Sequence, residues 1–103
     1  KATNVPLDTL SACLEVFELI DNLLDAASIG AVRLGADSDL GAALEFSNAA
    51  FRAAELNIHA NLSMLGGDPR LEALSTRYGA LRERFEEDLP ALRTRVLGWL
   101  KDH

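Results

Sequence analysis

Three long stretches of the chain space apolar side chains three and four residues apart, the interval that lines one face of an α-helix. In the first, Leu10, Cys13, Leu14, Phe17, Ile20, Leu24 and Ala27 recur this way. Asp8, Glu15, Glu18, Asp21, Asn22 and Asp25 fall mostly on the other side. Pro6 suits a first helical turn, where a missing N–H costs nothing, and Asn4 is placed to cap it. The pattern predicts a helix over about 6–27.

The second stretch predicts a helix over about 39–65, with Asp37 or Ser38 as cap. Its main stripe is Leu40, Leu44, Ser47, Phe51, Ala54, Ile58, Leu62 and Leu65. A shallower stripe runs through Phe46, Ala50, Ala53, Leu56, Ala60 and Met64, which implies neighbours on two sides. Gly66 and Gly67 end the pattern, with Gly66 at the position for a left-handed cap.

Asp68-Pro69 restarts a helix as cap followed by proline, and the third helix is predicted over about 69–101. Leu71, Leu74, Tyr78, Leu81, Phe85, Leu89, Leu92, Val96 and Trp99 form its stripe, which passes straight through Pro90. An interior proline loses one backbone hydrogen bond and crowds the preceding turn. The helix is therefore either kinked there or broken, with Asp88 capping a short fourth helix. The unbroken stripe favours the kink. Between the first two helices, Ile29, Val32 and Leu34 make the connection apolar enough to fold over the bundle end as a lid. The alternative is a recognition loop presenting Arg33.

These elements predict an all-α, antiparallel up-down-up three-helix bundle, one domain over 1–103. At about 1.5 Å per residue the helices span roughly 33, 40 and 50 Å. The third then outruns the first, leaving Leu92, Val96, Leu97, Trp99 and Leu100 without cover. Such a patch is unfavourable in a soluble monomer. Either the chain bends at Pro90 and folds back over it, or a second copy covers it; the mismatch favours a homo-oligomer, a two-fold dimer foremost, with Leu92, Val96, Trp99 and Leu100 as its interface.

Composition agrees with helix, since Leu and Ala supply most of the 49% apolar content and β-branched residues are few. No run approaches the roughly 20 apolar residues of a membrane span, and the polar N-terminus with Pro6 lacks a signal-peptide pattern. The chain begins at Lys1 rather than Met, so an upstream segment can have been removed. The single cysteine, Cys13, allows no intrachain disulfide, which makes a reducing, cytoplasmic location the expectation. A net charge of −6 argues against nucleic acid and against anionic membrane surfaces. The charge is uneven. Residues 1–65 carry three basic side chains against nine acidic, whereas residues 66–103 carry seven of each. The acidic part reads as a solvated face, or more sharply as a docking face for a basic partner.

Candidate chemistry is sparse. His59 follows Glu55 by four residues and can pair with it on one helix face. Cys13, His59 and His103 are too few for a zinc site, and the paired Glu-x-x-His motifs of bundle di-metal sites are absent. Cys13 lies on an apolar stripe of an acidic helix, a setting for a small hydrophobe rather than a thiolate. Asn57 and Asn61 flank the second helix's stripe, and Asn61-Leu62-Ser63 matches a glycosylation triplet by chance inside a helix. Arg70, Arg77, Arg82, Arg84, Arg93 and Arg95 interleave with acids, and Arg82 with Glu86 and Arg84 with Asp88 should neutralise one another locally.

No catalytic, cofactor or metal residue is assigned. The leading reading is a non-catalytic interaction or scaffold module that self-associates through apolar helix faces. An alternative is a ligand-sensing domain holding a small apolar molecule near Phe46, Phe51 and Tyr78. A third is a compact all-α enzyme built on Arg52, Glu55, His59 and Tyr78, which requires Arg52 and His59 to share a face.

Overall fold

The computed structural model describes residues 4–30, 37–64 and 66–102. They form three helices, α1 (Asn4–Ser28), α2 (Asp37–Met64) and α3 (Arg70–Asp102). Each end falls within two residues of the sequence expectation, the usual spread for helix boundaries. Left-handed glycines mark the exits. Gly30 (φ 76°) follows α1, and its N–H donates to the Ala27 carbonyl at 3.1 Å. After α2 the left-handed residue is Gly67 (φ 83°) rather than the expected Gly66. Either glycine can adopt that conformation at no steric cost, so composition alone cannot choose between them. Asp68 then caps α3, its Oδ1 accepting the Arg70 backbone N–H at 2.9 Å.

Cross-helix pairs fix the directions. Going up α2, Glu45, Arg52 and His59 meet Arg93, Glu86 and Tyr78 of α3 in descending order, so α2 and α3 are antiparallel. Asp8, Glu18 and Asp25 of α1 meet Arg77, Arg84 and Arg95 in ascending order, so α1 and α3 point the same way. The bundle is up-down-up, as expected, and measures 53 × 20 × 18 Å.

The core follows the predicted stripes. Each helix contributes one phenylalanine to a central stack. Phe51 lies 3.7 Å from Phe85 between ring centroids, and Phe17 lies 5.4 Å from Phe85 on another side. Leu7, Leu10 and Leu14 of α1 and Leu44 and Ile58 of α2 are fully buried around it. Leu7 extends the α1 stripe one turn beyond the residues that the spacing singled out.

α3 runs as one helix through Pro90, the reading that the unbroken stripe favours, with Pro90 exposed beside buried Leu89. Three expectations change. First, the C-terminal end of α3 is not an overhang. Leu92 and Val96 are buried in the chain's own core, and Trp99 and Leu100 are half-buried against it. A side-chain carbon at Gly41 would lie 3.7 Å from Val96 Cγ1 and 3.8 Å from Leu100 Cδ1, so the first turns of α2 cover the last turns of α3. The ion pairs set that register, and the surplus length of α3 projects at its N-terminal turn instead. Leu92 and Val96 are thus taken up by the chain's own core, while Trp99 and Leu100 keep part of their surface open. Second, the shallower α2 stripe stays exposed among the described residues. Phe46, Ala50, Ala53, Leu56, Ala60 and Met64 are all exposed, because α1 and α3 both pack against the single broad stripe opposite. Third, Ile29 is 82% exposed rather than closing the bundle end. Val32, Arg33 and Leu34 lie outside the described residues, as do the side chains of the three expected N-terminal caps of α1 and α2, Asn4, Asp37 and Ser38.

Candidate functional site

The polar residues that come together sit on the α2–α3 seam, about midway along the bundle. Arg52, Glu55 and His59 occupy successive turns of α2, and Tyr78, Arg82 and Glu86 successive turns of α3. Antiparallel packing brings the two rows face to face. Glu55 is the centre and is only 8% exposed. Its Oε1 accepts from Arg52 Nη1 at 2.9 Å, and its Oε2 accepts from the Tyr78 hydroxyl at 2.6 Å. Arg82 Nε stands 3.7 Å from the same Oε2. Arg52 reaches across with its other nitrogen to Glu86 Oε1 at 2.6 Å, while its guanidinium lies 4.7 Å over the Phe85 ring.

His59 stands at the edge of this cluster, exposed, with Nε2 3.2 Å from the Tyr78 hydroxyl oxygen. The one hydroxyl proton of Tyr78 goes to Glu55, so the tyrosine oxygen accepts here and His59 Nε2 carries the hydrogen. The two rings meet edge to face at 5.3 Å.

These contacts move the protonation equilibria apart. Burial pushes the Glu55 carboxyl up, but the hydrogen bonds from Tyr78 and Arg52 and the charges of Arg52 and Arg82 outweigh it, leaving Glu55 below its ordinary value. Burial, reinforced by the hydrogen bond to anionic Glu55, pushes the Tyr78 hydroxyl up to about 12. At neutral pH the pair is carboxylate and phenol, with no proton poised to leave.

Arg52 and His59 thus share a face, which the enzyme reading requires. Sequence spacing placed Glu55 with His59, whereas Tyr78 stands between them. Arg82 and Glu86 were missed as members because their spacing matched a local pair. The signal was Arg52, the one basic residue of α2, which needs an acid from elsewhere. Arg84 likewise crosses to Glu18 at 3.3 Å rather than pairing with Asp88. Arg93 crosses to Glu45 at 2.8 Å, and Arg95 to Asp21 and Asp25. The α3 arginines therefore answer the acidic excess of α1 and α2, and most of the expected acidic docking face is already neutralised.

Other candidates separate. Cys13 is buried, and burial pushes its thiol up, away from thiolate. Phe46 lies outside the bundle, while Phe51 and Tyr78 are inside it, so the three do not enclose a ligand cavity. Among the described residues no three of His, Cys, Asp and Glu come together as a metal ion would need. No helix among them is long and apolar enough to cross a membrane. A groove of about 390 Å³ opens between α1 and α2, lined by Thr9, Ala12, Val16, Phe46 and Ala50 with Cys13 and Ser47 at its floor.

A family profile described as Formiminotransferase-cyclodeaminase matches residues 1–78, about three quarters of the chain. The chain belongs to that family. The match ties it to an enzyme family and runs from α1 through α2 to Tyr78, so Arg52, Glu55, His59 and Tyr78 all lie inside it. Arg82 and Glu86, which close the cluster from α3, lie beyond it. No curated protein and no solved structure matches the chain.

Proposed function

We propose that this chain is a helical assembly module of an enzyme of the formiminotransferase-cyclodeaminase class, supplying packing surface rather than the reacting groups. The observation that carries this reading is the closure of the Glu55 cluster. Both Glu55 oxygens are engaged inside the bundle, and Tyr78 is held as a neutral phenol. A general base works best when solvent or substrate can reach it and its pKa lies near the operating pH, whereas Glu55 is buried, hydrogen-bonded at both oxygens and held below its ordinary value. The cluster instead locks α2 to α3. Burying a carboxylate is costly unless it is paired and hydrogen-bonded, and here both conditions hold.

A second reading, in which the cluster serves the reaction, is favoured by one feature. The Tyr78 hydroxyl links buried Glu55 to exposed His59, a route from interior to surface. Cyclodeaminase activity of the purified chain separates the two. The assembly reading expects no turnover from wild type, and Glu55→Gln and His59→Ala chains as inert as wild type. Turnover that is lost in a folded Glu55→Gln or His59→Ala chain would overturn it.

A further inference from the structure

Besides its buried stripe, each of α1 and α2 carries a second line of mostly small and apolar side chains. On α1 it is Val5, Thr9, Ala12, Val16, Leu19 and Leu23. On α2 it is Ala43, Phe46, Ala50, Ala53, Asn57 and Ala60. Both alternate steps of three and four residues, the spacing of a seam that packs lengthwise against another helix. Every member is exposed or half-buried, with Phe46 75%, Val5 69% and Leu19 57% exposed. The fold brings the two seams to one place. Thr9, Ala12, Val16, Phe46 and Ala50 line the groove of about 390 Å³ between α1 and α2, and no residue of α3 reaches its wall.

We propose that this groove binds one amphipathic helix of a different protein, with bulky apolar residues on its seam and lysine or arginine along its flank. Such a helix would complete a four-helix arrangement, the alanine floor at Ala12 and Ala50 leaving room for its larger side chains. Charge identifies the occupant. Asp8 and Glu15 stand seven residues apart on the α1 rim, beside the seam, where coiled helices carry their pairing charges. Asp39 heads the α2 seam, one turn before Ala43. Glu15 and Asp39 have no ion-pair partner among the described residues, and Asp8, its side chain 73% exposed, comes only within 3.6 Å of Arg77. Arg52, the one arginine or lysine of α1 and α2, is turned away onto Glu55 and Glu86. The rim therefore presents carboxylates that a basic flank would answer. A second copy offering the same two helices would set acid against acid and add another −6.

Size sets the strength. From Val5 to Leu23 the seam is about 27 Å long, and two adjacent helices are about 20 Å wide, a footprint of roughly 540 Å². Stable complexes bury about 800 Å² per partner, so this contact belongs to the weak, exchanging class. Asn57, the polar member of the α2 seam, would fix the register of the incoming helix rather than its affinity.

The docking rests on the assembly reading, which the turnover measurement tests separately. The probe is a synthetic helical peptide of about 21 residues, three heptads, with leucine on the seam and lysine on the flank. Its controls are the same peptide with glutamate on the flank and a scrambled lysine peptide of equal composition. Calorimetry with the full chain should give a dissociation constant of tens of micromolar for the lysine peptide, weakening as salt rises, and no binding of either control. Methyl NMR should place the shifts on Val16 and Ala50. Ala50→Gln fills the groove floor without changing charge and should weaken binding at least about tenfold. Glu15→Lys should weaken the lysine peptide about fivefold and let the glutamate peptide bind. Ala80→Gln, on the exposed side of α3, should change nothing. Glu15, Ala50 and Ala80 are all exposed, and far-UV circular dichroism checks that the variants fold. No binding of the lysine peptide at about 1 mM, equal binding of the scrambled peptide, or indifference to Ala50→Gln would overturn the docking while leaving the turnover result as it stands. A dimer in sedimentation that Ala50→Gln dissociates would put a second copy in the groove and overturn it as well.

Discussion

Replacing Phe85 by alanine removes the ring on which the three helices converge. Phe85 is fully buried, 3.7 Å from Phe51 and 5.4 Å from Phe17, with the Arg52 guanidinium 4.7 Å above it. Truncating a buried phenylalanine costs about 3–5 kcal/mol in lost transfer and residual cavity. The aromatic contacts add roughly 0.5–1.5 kcal/mol and the guanidinium contact roughly 0.5–1, although such terms do not sum fully. The upper end, about 5 kcal/mol, is therefore expected. Natural domains are stable by about 5–15 kcal/mol, so this one change removes a third or more of the total. With a urea slope of about 1–3 kcal/mol/M, the unfolding midpoint should fall by roughly 2 M or more. The control is Phe46→Ala, the same chemical deletion at a residue 75% exposed, which should cost under about 0.5 kcal/mol. Urea titration followed by circular dichroism, at a concentration where the chain is monomeric, reads both. If Phe46→Ala costs as much as Phe85→Ala in the monomer, the assignment of inner and outer faces on α2 is wrong.

Three further outcomes are expected. Tyr78 is the one tyrosine in the chain, so its ultraviolet titration is unambiguous and should show a midpoint near 12 instead of 10. Because the folded value is the higher one, the corresponding stability is present below pH 10 and fades as pH rises toward 12, which alkaline unfolding should display. Asp68 is held down to about 2, chiefly by the Arg70 side chain and then by the Arg70 backbone N–H. Its contribution is present above about pH 4 and fades as pH falls toward 2. Asp68→Ala should flatten that part of the acid titration and lower the thermal midpoint at neutral pH as a lost cap. Pro90→Ala restores an N–H that can donate to the Glu86 carbonyl and should raise stability by about 1–3 kcal/mol. A neutral or destabilising result would mean that the proline shapes α3 to bury Leu92 and Val96.

The fold was legible because the informative feature is periodic. Phe17, Phe51 and Phe85 each lie on a three- and four-step stripe, and nothing but a shared interior satisfies all three stripes. Register was not legible, and the errors came from it. Matching helix lengths from a common end left Leu92 and Val96 uncovered, whereas the Arg93–Glu45 and Arg95–Asp21 pairs slide α3 along until both are buried. Exposed pairs of this kind are individually worth only about 0–1 kcal/mol, yet several pointing to one alignment can select it. The candidate site was half legible. Arg52, Glu55 and His59 share a face by spacing alone. That Tyr78 would sit between Glu55 and His59, and that Arg82 and Glu86 would join, depended on the same register. The second α2 stripe was visible, but an apolar face does not say whether its neighbour belongs to its own bundle.

Resolving the Glu55 carboxylate by carbon-detected NMR across a pH titration tests most directly whether the α2–α3 cluster is a closed fastener. A midpoint below the ordinary glutamate value, with no change through neutrality and with the Tyr78 hydroxyl proton protected from exchange, is the predicted outcome. A Glu55 midpoint near pH 7, with the Tyr78 hydroxyl proton exchanging freely, would show a group poised for proton transfer and contradict the assembly role.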